Sequence, residues 1–213
     1  MQIVITTEAL EGIDRSIGSR SPESGGFLFC SQDGLYQVIE DFAFDFHGRT
    51  GAAAYYPSQD APVLIDRIER QRNLALCGVV HSHPGSMNYP SSSDSIAMDS
   101  LLALNPQLPF ILAPIVTLTV SKRAQKHEIR TKHCSISFFY KDRGSSVLPV
   151  GAITVISKSD LEQERIKWKP SQERTQEEEL PETNEQRMFV DFYRFLVGTL
   201  CVASMLFLLP NYE

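Results

Sequence analysis

The first 157 residues carry two kinds of hydrophobic pattern, and together they predict strands interleaved with helices. Short β-branched stretches and continuous apolar runs indicate strands, whereas apolar residues three or four apart indicate amphipathic helices. Predicted strands cover residues 2–6, 27–30, 35–44, 74–80, 109–120, 134–141 and 146–157. Predicted helices cover residues 7–19, 62–72 and 91–105. This order of elements predicts the α/β fold class, and Pro114 is expected to interrupt the strand at 109–120.

Two segments lack either pattern. Residues 45–59 are irregular and contain paired tyrosines, so a loop there could grip an extended peptide if it lies beside a cleft. Residues 121–133 are basic and polar, which favours a hairpin excursion. The histidines of these segments are not expected to be ligands: we expect a loop residue at His47, and exposed side chains at His127 and His133, which share no ligand spacing with the metal motif described below.

The chain changes character after Ser157. Of the 30 residues from 158 to 187, nine are acidic and six are basic. A segment of this composition cannot bury a core of its own, so it predicts a solvated helix or a flexible linker. Trp168, the one tryptophan of the chain, could dock this segment onto the domain or onto a partner.

The last segment, residues 188–213, is strongly apolar. It contains 15 consecutive uncharged residues from Phe195 to Leu209. An 18-residue helix would be about 27 Å long, just enough to cross the hydrocarbon core of a bilayer. Arg187 and Arg194 lie on its N-terminal side, which agrees with a cytoplasmic location of that side. We expect a transmembrane anchor, with a helix that docks on a partner and a core helix of the domain as alternatives.

Composition narrows the function classes. The chain has 213 residues and a net charge of −6, without a dense basic run, which argues against a nucleic-acid surface. Its four cysteines form no CxxC pair, so buried thiols in a reducing compartment are expected rather than disulfides. The N-terminus lacks the form of a signal peptide. We therefore expect a cytoplasmic catalytic domain, anchored to the inner membrane if the last segment spans it.

The stretch from Cys77 to Asp99 carries the candidate chemistry. His81 and His83 are two residues apart at the end of a predicted strand, so both imidazoles project to one side. Asp94, at the start of the next helix, can reach the same point. Two nitrogens and one oxygen suit Zn²⁺ and leave a fourth position for water, as catalytic zinc sites require. Taken alone, the histidine pair could be a solvated loop, and Ser91 with Asp94 could be an ordinary helix N-terminus.

The joint spacing is more specific than its parts. His-x-His-Pro, the six residues GSMNYP and then Ser-x-x-Asp resemble the motif of the JAMM (MPN-plus) zinc metalloproteases. That family also has an upstream glutamate that is not a ligand, and Glu23, before two glycines and an apolar strand, matches it. The resemblance covers residues 1–157 and implies a mixed β-sheet flanked by helices, of the cytidine-deaminase-like kind. It divides the chain into a catalytic domain (1–157), a charged linker (158–187) and a hydrophobic C-terminal helix (188–213).

The resemblance also implies the role of each site residue. His81, His83 and Asp94 would hold the zinc ion, and Glu23 would be the general base that later protonates the departing amine. Ser91 would donate a hydrogen bond to the tetrahedral oxyanion.

JAMM enzymes cut after the C-terminal glycines of ubiquitin or a ubiquitin-like protein, at an isopeptide bond or a linear extension. The short chain looks like the bacterial members, which occur beside ubiquitin-activating-like and ubiquitin-conjugating-like enzymes in antiphage operons or trim sulfur-carrier proteins. We therefore expect deconjugation or maturation of a ubiquitin-like protein. A non-catalytic MPN-type binding module and a membrane adaptor stay open as alternatives.

Overall fold

The computed structural model describes residues 1–20, 23–31, 37–50, 55–118 and 125–168, which form thirteen strands and four helices. The strands are β1 (Gln2–Thr6), β2 (Gly25–Ser31), β3 (Val38–Phe44), β4 (Arg49–Thr50), β5 (Tyr55–Tyr56), β6 (Leu74–Ser82), β7 (Phe110–Leu112), β8 (Ile115–Thr117), β9 (Glu128–Arg130), β10 (Ser135–Ser137), β11 (Phe139–Asp142), β12 (Leu148–Pro149) and β13 (Ala152–Ile156). The helices are α1 (Thr7–Ser16), α2 (Ala61–Arg72), α3 (Ser92–Leu104) and α4 (Lys158–Trp168). The predicted α/β class is confirmed.

Eleven of these strands form one mixed sheet, whose central path runs β12-β11-β7-β6-β2-β3-β1-β13. Strand β2 lies antiparallel to both β3 and β6, whereas β1 is parallel to β3 and to β13. The two remaining strands, β4 and β5, pair with each other in the segment that the sequence predicted to be irregular. The mixed sheet flanked by helices is therefore as expected, with a small two-stranded ribbon added.

Alternation along β2 separates the two faces of the sheet. Phe27 and Phe29 pack with the buried side of α2, whereas Leu28 and Cys30 belong to the larger core beneath α1. All seven residues of β2 are buried, as expected for a central strand covered on both faces. A third cluster joins α3 to β7 through Met98, Leu102, Leu108, Ile111 and Ala113. The sheet is thus the middle layer between helices.

The predicted interruption at Pro114 is confirmed, and it opens the sheet at the end of β6. The strand on one side of the proline, β7, pairs with β6 at Gly78 and then with β11. The strand on the other side, β8, pairs with β6 at His81 and Ser82 and then with β10. The sheet therefore divides beside β6: β7 leads to β11, and β8 leads to β10. The carboxyl end of β6 lies at this division.

The beginning of the predicted linker forms helix α4 and packs on the domain. Leu161 is buried against the domain. The Arg165 guanidinium forms a bidentate ion pair with the Glu40 carboxylate, in which Nη1 and Oε2 are 2.9 Å apart. The predicted helix at the start of this segment is therefore confirmed, and its described side chains are mostly exposed as expected, but Leu161 and Arg165 attach it to the domain.

The predicted membrane segment, 188–213, lies outside the described residues. Within the described residues, none of the helices has the length and apolarity that a bilayer crossing requires. The predicted boundary at Ser157 and the anchor remain predictions.

Candidate metal centre

Strand β6 delivers both candidate histidines to one face of the sheet. Val79 packs against the α2-side cluster, and residues two and four positions further along an extended chain point the same way. His81 and His83 therefore share that face. The backbone holds them at the sheet edge, since His81 N donates to the Pro114 carbonyl at 3.3 Å and His83 N donates to the Val116 carbonyl at 2.9 Å. Both side chains are buried.

The third candidate ligand, Asp94, lies in the first turn of α3 and is oriented by a capping box. Its backbone amide donates to the Ser91 hydroxyl oxygen at 3.3 Å, and the Ser91 amide donates to Asp94 Oδ2 at 2.6 Å. This reciprocal pair satisfies two amide groups that a helix N-terminus otherwise leaves open. The carboxylate is thereby fixed toward the two histidines.

The three side chains converge on one point. The His81 and His83 Nε2 atoms are 2.9 Å apart, and Asp94 Oδ1 lies 3.2 Å from His81 Nε2, while Oδ2 lies 3.4 Å from His83 Nε2. Ligands ~2.1 Å from a tetrahedral zinc ion stand roughly 3.4 Å apart, so these separations are close to those that zinc requires. Among the described residues, this is the one group of three or more metal-ligating side chains that the structure brings together. The donor set fits zinc.

Charge at this point also favours a cation. Burial by itself would raise the pKa of Asp94, but the hydrogen bonds from His81 and His83 outweigh it and hold that pKa well below its usual value. For His83, burial lowers the pKa, and the Asp94 carboxylate outweighs this effect and raises it. The Asp94 carboxylate is therefore ionised and directed at two imidazole nitrogens.

Glu23 lies beside the histidines because of the pairing of β2 with β6. Gly25 pairs with His81, so extending the antiparallel register by two residues places Glu23 opposite His83, on the same face. The Glu23 side chain is buried, and its Oε2 atom has no hydrogen-bond partner among the described residues. Burial raises the pKa of this carboxyl, while the nearby His83 and His81 lower it to a smaller extent. A buried carboxylate oxygen without a partner fits a group that serves a molecule bound at the site.

Ser91, predicted as the donor to an oxyanion, is the N-cap of α3. In the capping box its hydroxyl oxygen accepts a hydrogen bond from the Asp94 amide. That contact does not use the hydroxyl proton. The capping role and the predicted donor role are therefore compatible.

Two further residues, neither of them predicted from the sequence, support the site. Ser82, between the histidines, is completely buried and contacts Ser24, the residue after Glu23. Tyr55 stacks beside His81 with ring centroids 6.2 Å apart, and its hydroxyl donates to Asp45 Oδ2 at 2.8 Å. A Cβ atom at Gly25 would lie 2.5 Å from the Tyr55 ring, so only glycine permits this close approach. The alternation of side chains along a strand could have predicted that Ser82 points to the face opposite His81 and His83. No pattern in the sequence predicts the position of Tyr55 beside His81.

The remaining histidines lie outside the ligand group. His47 lies in the turn between β3 and β4, as predicted for a loop residue, and is exposed. The prediction of an exposed side chain is wrong for His127, which is half-buried with its ring 5.2 Å from that of Phe139, and this burial lowers its pKa. His133 is exposed, as predicted, and it also contacts α1: its Nδ1 atom lies 2.9 Å from Asp14 Oδ2, and its amide donates to Asp14 Oδ1 at 3.0 Å.

Comparisons with known proteins agree with this reading of the fold. The solution structure of a protein from Desulfitobacterium hafniense is similar with a TM-score of 0.55, at 17% identity over 74% of this chain and 94% of that chain. This likeness concerns the fold alone. The crystal structure of a JAB1/MPN domain protein from Archaeoglobus fulgidus matches with a TM-score of 0.38, at 17% identity over 73% of this chain and 98% of that one, and we infer nothing from it. A search of curated proteins gives no match.

The strongest comparison is with a family model. The model of the Prok-JAB family, described as prokaryotic homologs of the JAB domain, matches residues 17–132. This range is more than half of the chain and includes Glu23 and all three candidate ligands. The JAMM/MPN resemblance seen in the motif and this match agree, and the protein belongs to the Prok-JAB family.

Proposed function

We propose that this protein is a zinc-dependent peptidase or isopeptidase that cleaves after the C-terminus of a ubiquitin-like protein. The JAB/MPN family includes peptidases and metal-dependent hydrolases, and its motif is complete in this chain. One observation carries the proposal beyond a binding module: Glu23 is buried beside the three ligands with a carboxylate oxygen that lacks a partner among the described residues. A binding module has no need for such a group, which is costly to bury.

The proposed chemistry divides between the ion and the side chains. His81, His83 and Asp94 would hold a zinc ion, which when bound polarises a carbonyl group and lowers the pKa of water toward ~7. Glu23 would take a proton from the attacking water and deliver it to the departing amine. Its raised pKa improves it as a proton acceptor near neutral pH. The Ser91 hydroxyl would donate a hydrogen bond to the oxygen on which negative charge develops.

The surface beside the site suits a polypeptide substrate. Met87 and Tyr89 lie on the loop between β6 and α3, and Ile96 lies just after Asp94 in α3. All three side chains are exposed, and apolar groups that are exposed together are a feature of surfaces that bind other proteins. We propose that this surface contacts the ubiquitin-like protein or its conjugate.

The biological setting that we propose follows from the resemblance alone. The substrates would be the conjugates or precursors of a bacterial ubiquitin-like protein, in an antiphage system with its own activating-like and conjugating-like enzymes. Maturation of a sulfur-carrier protein is the closest related activity. An anchor at 188–213 would restrict the cytoplasmic enzyme to targets near the inner membrane.

The test combines zinc content with cleavage. Purified full-length protein, kept in mild detergent, is incubated with ubiquitin-like proteins, sulfur carriers included, that bear a fluorescent protein after the C-terminal glycine or an isopeptide-linked peptide. The matched variants are Glu23→Gln, Asp94→Ala and Glu11→Gln, the last on an exposed carboxylate of α1. We expect stoichiometric zinc and cleavage for the wild type and for Glu11→Gln.

The variants separate the proton-transfer role of Glu23 from the metal-binding role of Asp94. Glu23→Gln should keep its zinc and lose about 10²–10⁴-fold in rate, the usual contribution of a general base. Asp94→Ala should lose both zinc and cleavage. Cleavage by Glu23→Gln at the wild-type rate would remove that residue from the chemistry. A wild-type protein without zinc would favour the binding-module alternative.

A further inference from the structure

A buried lysine ties the sheet to the helix that carries Asp94. Lys141 lies on β11, and its side chain is only 5% exposed. Within the described part of the chain, the partners of its Nζ atom are all on α3: Nζ donates to Asp99 Oδ2 at 2.5 Å, to Ser95 Oγ at 2.9 Å and to the Ser95 carbonyl at 3.2 Å. Asp99, the acidic partner of this ion pair, is 54% exposed.

Apart from the contacts of Asp94 with His81 and His83, the beginning of α3 has little else to hold it against the sheet. Within α3, all of whose residues the structure describes, only Met98 and Leu102 are buried. Both lie beyond the first turn. Ile96 and Ala97, which could have anchored the N-terminal half, are exposed. The capping box organises the first turn internally but does not attach it to the sheet.

Stability alone does not explain a lysine at this buried position, because an apolar residue would make the folded protein at least as stable. Burying an ammonium group has a desolvation cost that its ion pair often fails to recover, and apolar replacements are frequently neutral or stabilising. What an apolar side chain cannot supply is direction, since a lysine with three donors fixes the positions of the atoms that accept from it. Two of these three contacts are to Ser95, the residue directly after Asp94.

We propose that Lys141 is a positioning residue that fixes the N-terminal half of α3 relative to β6, and thereby sets the affinity of the centre for zinc. The inference rests on the proposed zinc site. His81 and His83 are fixed by the sheet, whereas Asp94 belongs to a helix and reaches the same point from outside. Groups that orient ligands in this way typically contribute 10–100-fold to metal affinity.

The chain offers a matched control at the other end of the helix. Arg143, two residues further along from Lys141, donates through Nη2 to the carbonyl groups of Asn105 at 2.7 Å and Leu108 at 3.2 Å. It therefore ties the C-terminal end of α3 to the same part of the fold. Lys141→Met and Arg143→Met remove equal charge, but only the first releases the turn next to Asp94.

The experiment measures zinc affinity of the full-length protein by competition with a chromophoric chelator, and thermal stability of the metal-free form. For Lys141→Met we expect the dissociation constant for zinc to rise about 10-fold or more. For Arg143→Met we expect a value within about twofold of the wild type. The visible absorption of the Co²⁺ form, which reports ligand geometry, should change in Lys141→Met alone.

A folded Lys141→Met variant with wild-type affinity would overturn the inference and leave the proposed function intact. A wild-type protein that binds no zinc would overturn both. If Lys141→Met does not fold, Asp99→Asn decides, because that residue is exposed and its substitution weakens only the ion pair. A rise of severalfold in its dissociation constant supports the inference, and an unchanged value contradicts it.

Discussion

The Ser82 amide donates a hydrogen bond to the Ser24 carbonyl at 2.9 Å, and the Ser82 hydroxyl accepts one from the Ser24 amide at 3.0 Å. The backbone and the side chain of one residue thus hold the start of β2 against the end of β6. Ser82 lies between the two histidines, and Ser24 directly follows Glu23. The proposed base is therefore fixed to the strand that carries two of the proposed ligands.

We predict that Ser82→Ala slows cleavage while zinc binding is kept. The variant lacks the hydroxyl that accepts from the Ser24 amide, so Glu23 is held less closely, but His81 and His83 keep their backbone contacts. Loss of one buried hydrogen bond should lower the free energy of unfolding by about 1–2 kcal/mol. The rate should fall about 10-fold, which is the size expected when a catalytic group is slightly misplaced.

Ser82→Thr is the control, since it keeps the hydroxyl and should restore the rate. A second control combines Ser82→Ala with Glu23→Gln. If Ser82 acts through Glu23, the double variant should be no slower than Glu23→Gln alone. Additive effects of the two substitutions would show that Ser82 acts by another route.

Local patterns in the sequence predicted the parts of the site that depend on local geometry. The two-residue repeat of a strand places His81 and His83 on one face, and a helix start places Asp94. Contacts between distant segments could not be predicted in this way. Lys141 reaches α3 across 42 residues, and Tyr55 comes beside His81 through a loop whose residues share no repeat. Both contacts depend on how separate elements pack.

Glu23→Gln should stabilise the metal-free protein even though it removes the proposed base. The carboxylate is buried with an oxygen that lacks a partner among the described residues, and a neutral amide is less costly to bury than a charge. We expect the free energy of unfolding to rise by about 1 kcal/mol in the presence of a chelator. Urea denaturation measures this, with the exposed Glu11→Gln as a control that should not change. A less stable variant would mean that Glu23 has a structural role.

Asp14 should make the fold sensitive to acid. Its carboxylate accepts hydrogen bonds from the Thr131 hydroxyl and the His133 amide, and lies against the His133 ring. Burial raises the pKa of Asp14, but these hydrogen bonds outweigh it, so the pKa lies below its ordinary value of 3.8. The group therefore contributes stability above pH ~4, and the contribution is lost as the pH falls through the lowered pKa of the folded state.

We expect Asp14→Asn to lower the free energy of unfolding by about 2 kcal/mol at pH 7, the size of hydrogen bonds to a charged group. The difference from wild type should shrink once the pH is below the folded-state pKa. Urea denaturation at pH 7 and at successively lower pH, with chelator present throughout, measures this difference in the free energy of unfolding. Asp66→Asn, on a surface ion pair with Arg70, is the control and should have little effect. A difference that did not depend on pH would contradict the assignment.

The contacts of helix α4 indicate where the chain can be shortened without loss of stability. A chain that stops at Ser157 lacks Leu161 and leaves Glu40 without Arg165. We expect it to be less stable than a chain that stops at Trp168, by about 1–3 kcal/mol, because a charged hydrogen bond and a buried leucine are lost. Urea denaturation of the two chains tests this, and Arg165→Met in the longer chain isolates the ion pair. Equal stability of the two chains would show that α4 adds nothing to the domain.

The chain that ends at Trp168 is also the control for the proposed membrane anchor at 188–213. Residues 188–213 lie outside the described residues, and the prediction rests on their uncharged run. We expect the full-length protein to sediment with membranes and to resist extraction by salt and by alkaline carbonate, because apolar burial in a bilayer does not depend on charge. The chain that ends at Trp168 should stay in the supernatant with its zinc affinity unchanged. Recovery of both chains in the supernatant, monodisperse, would instead favour a tail that docks on protein. Sedimentation of both would place the membrane contact within residues 1–168.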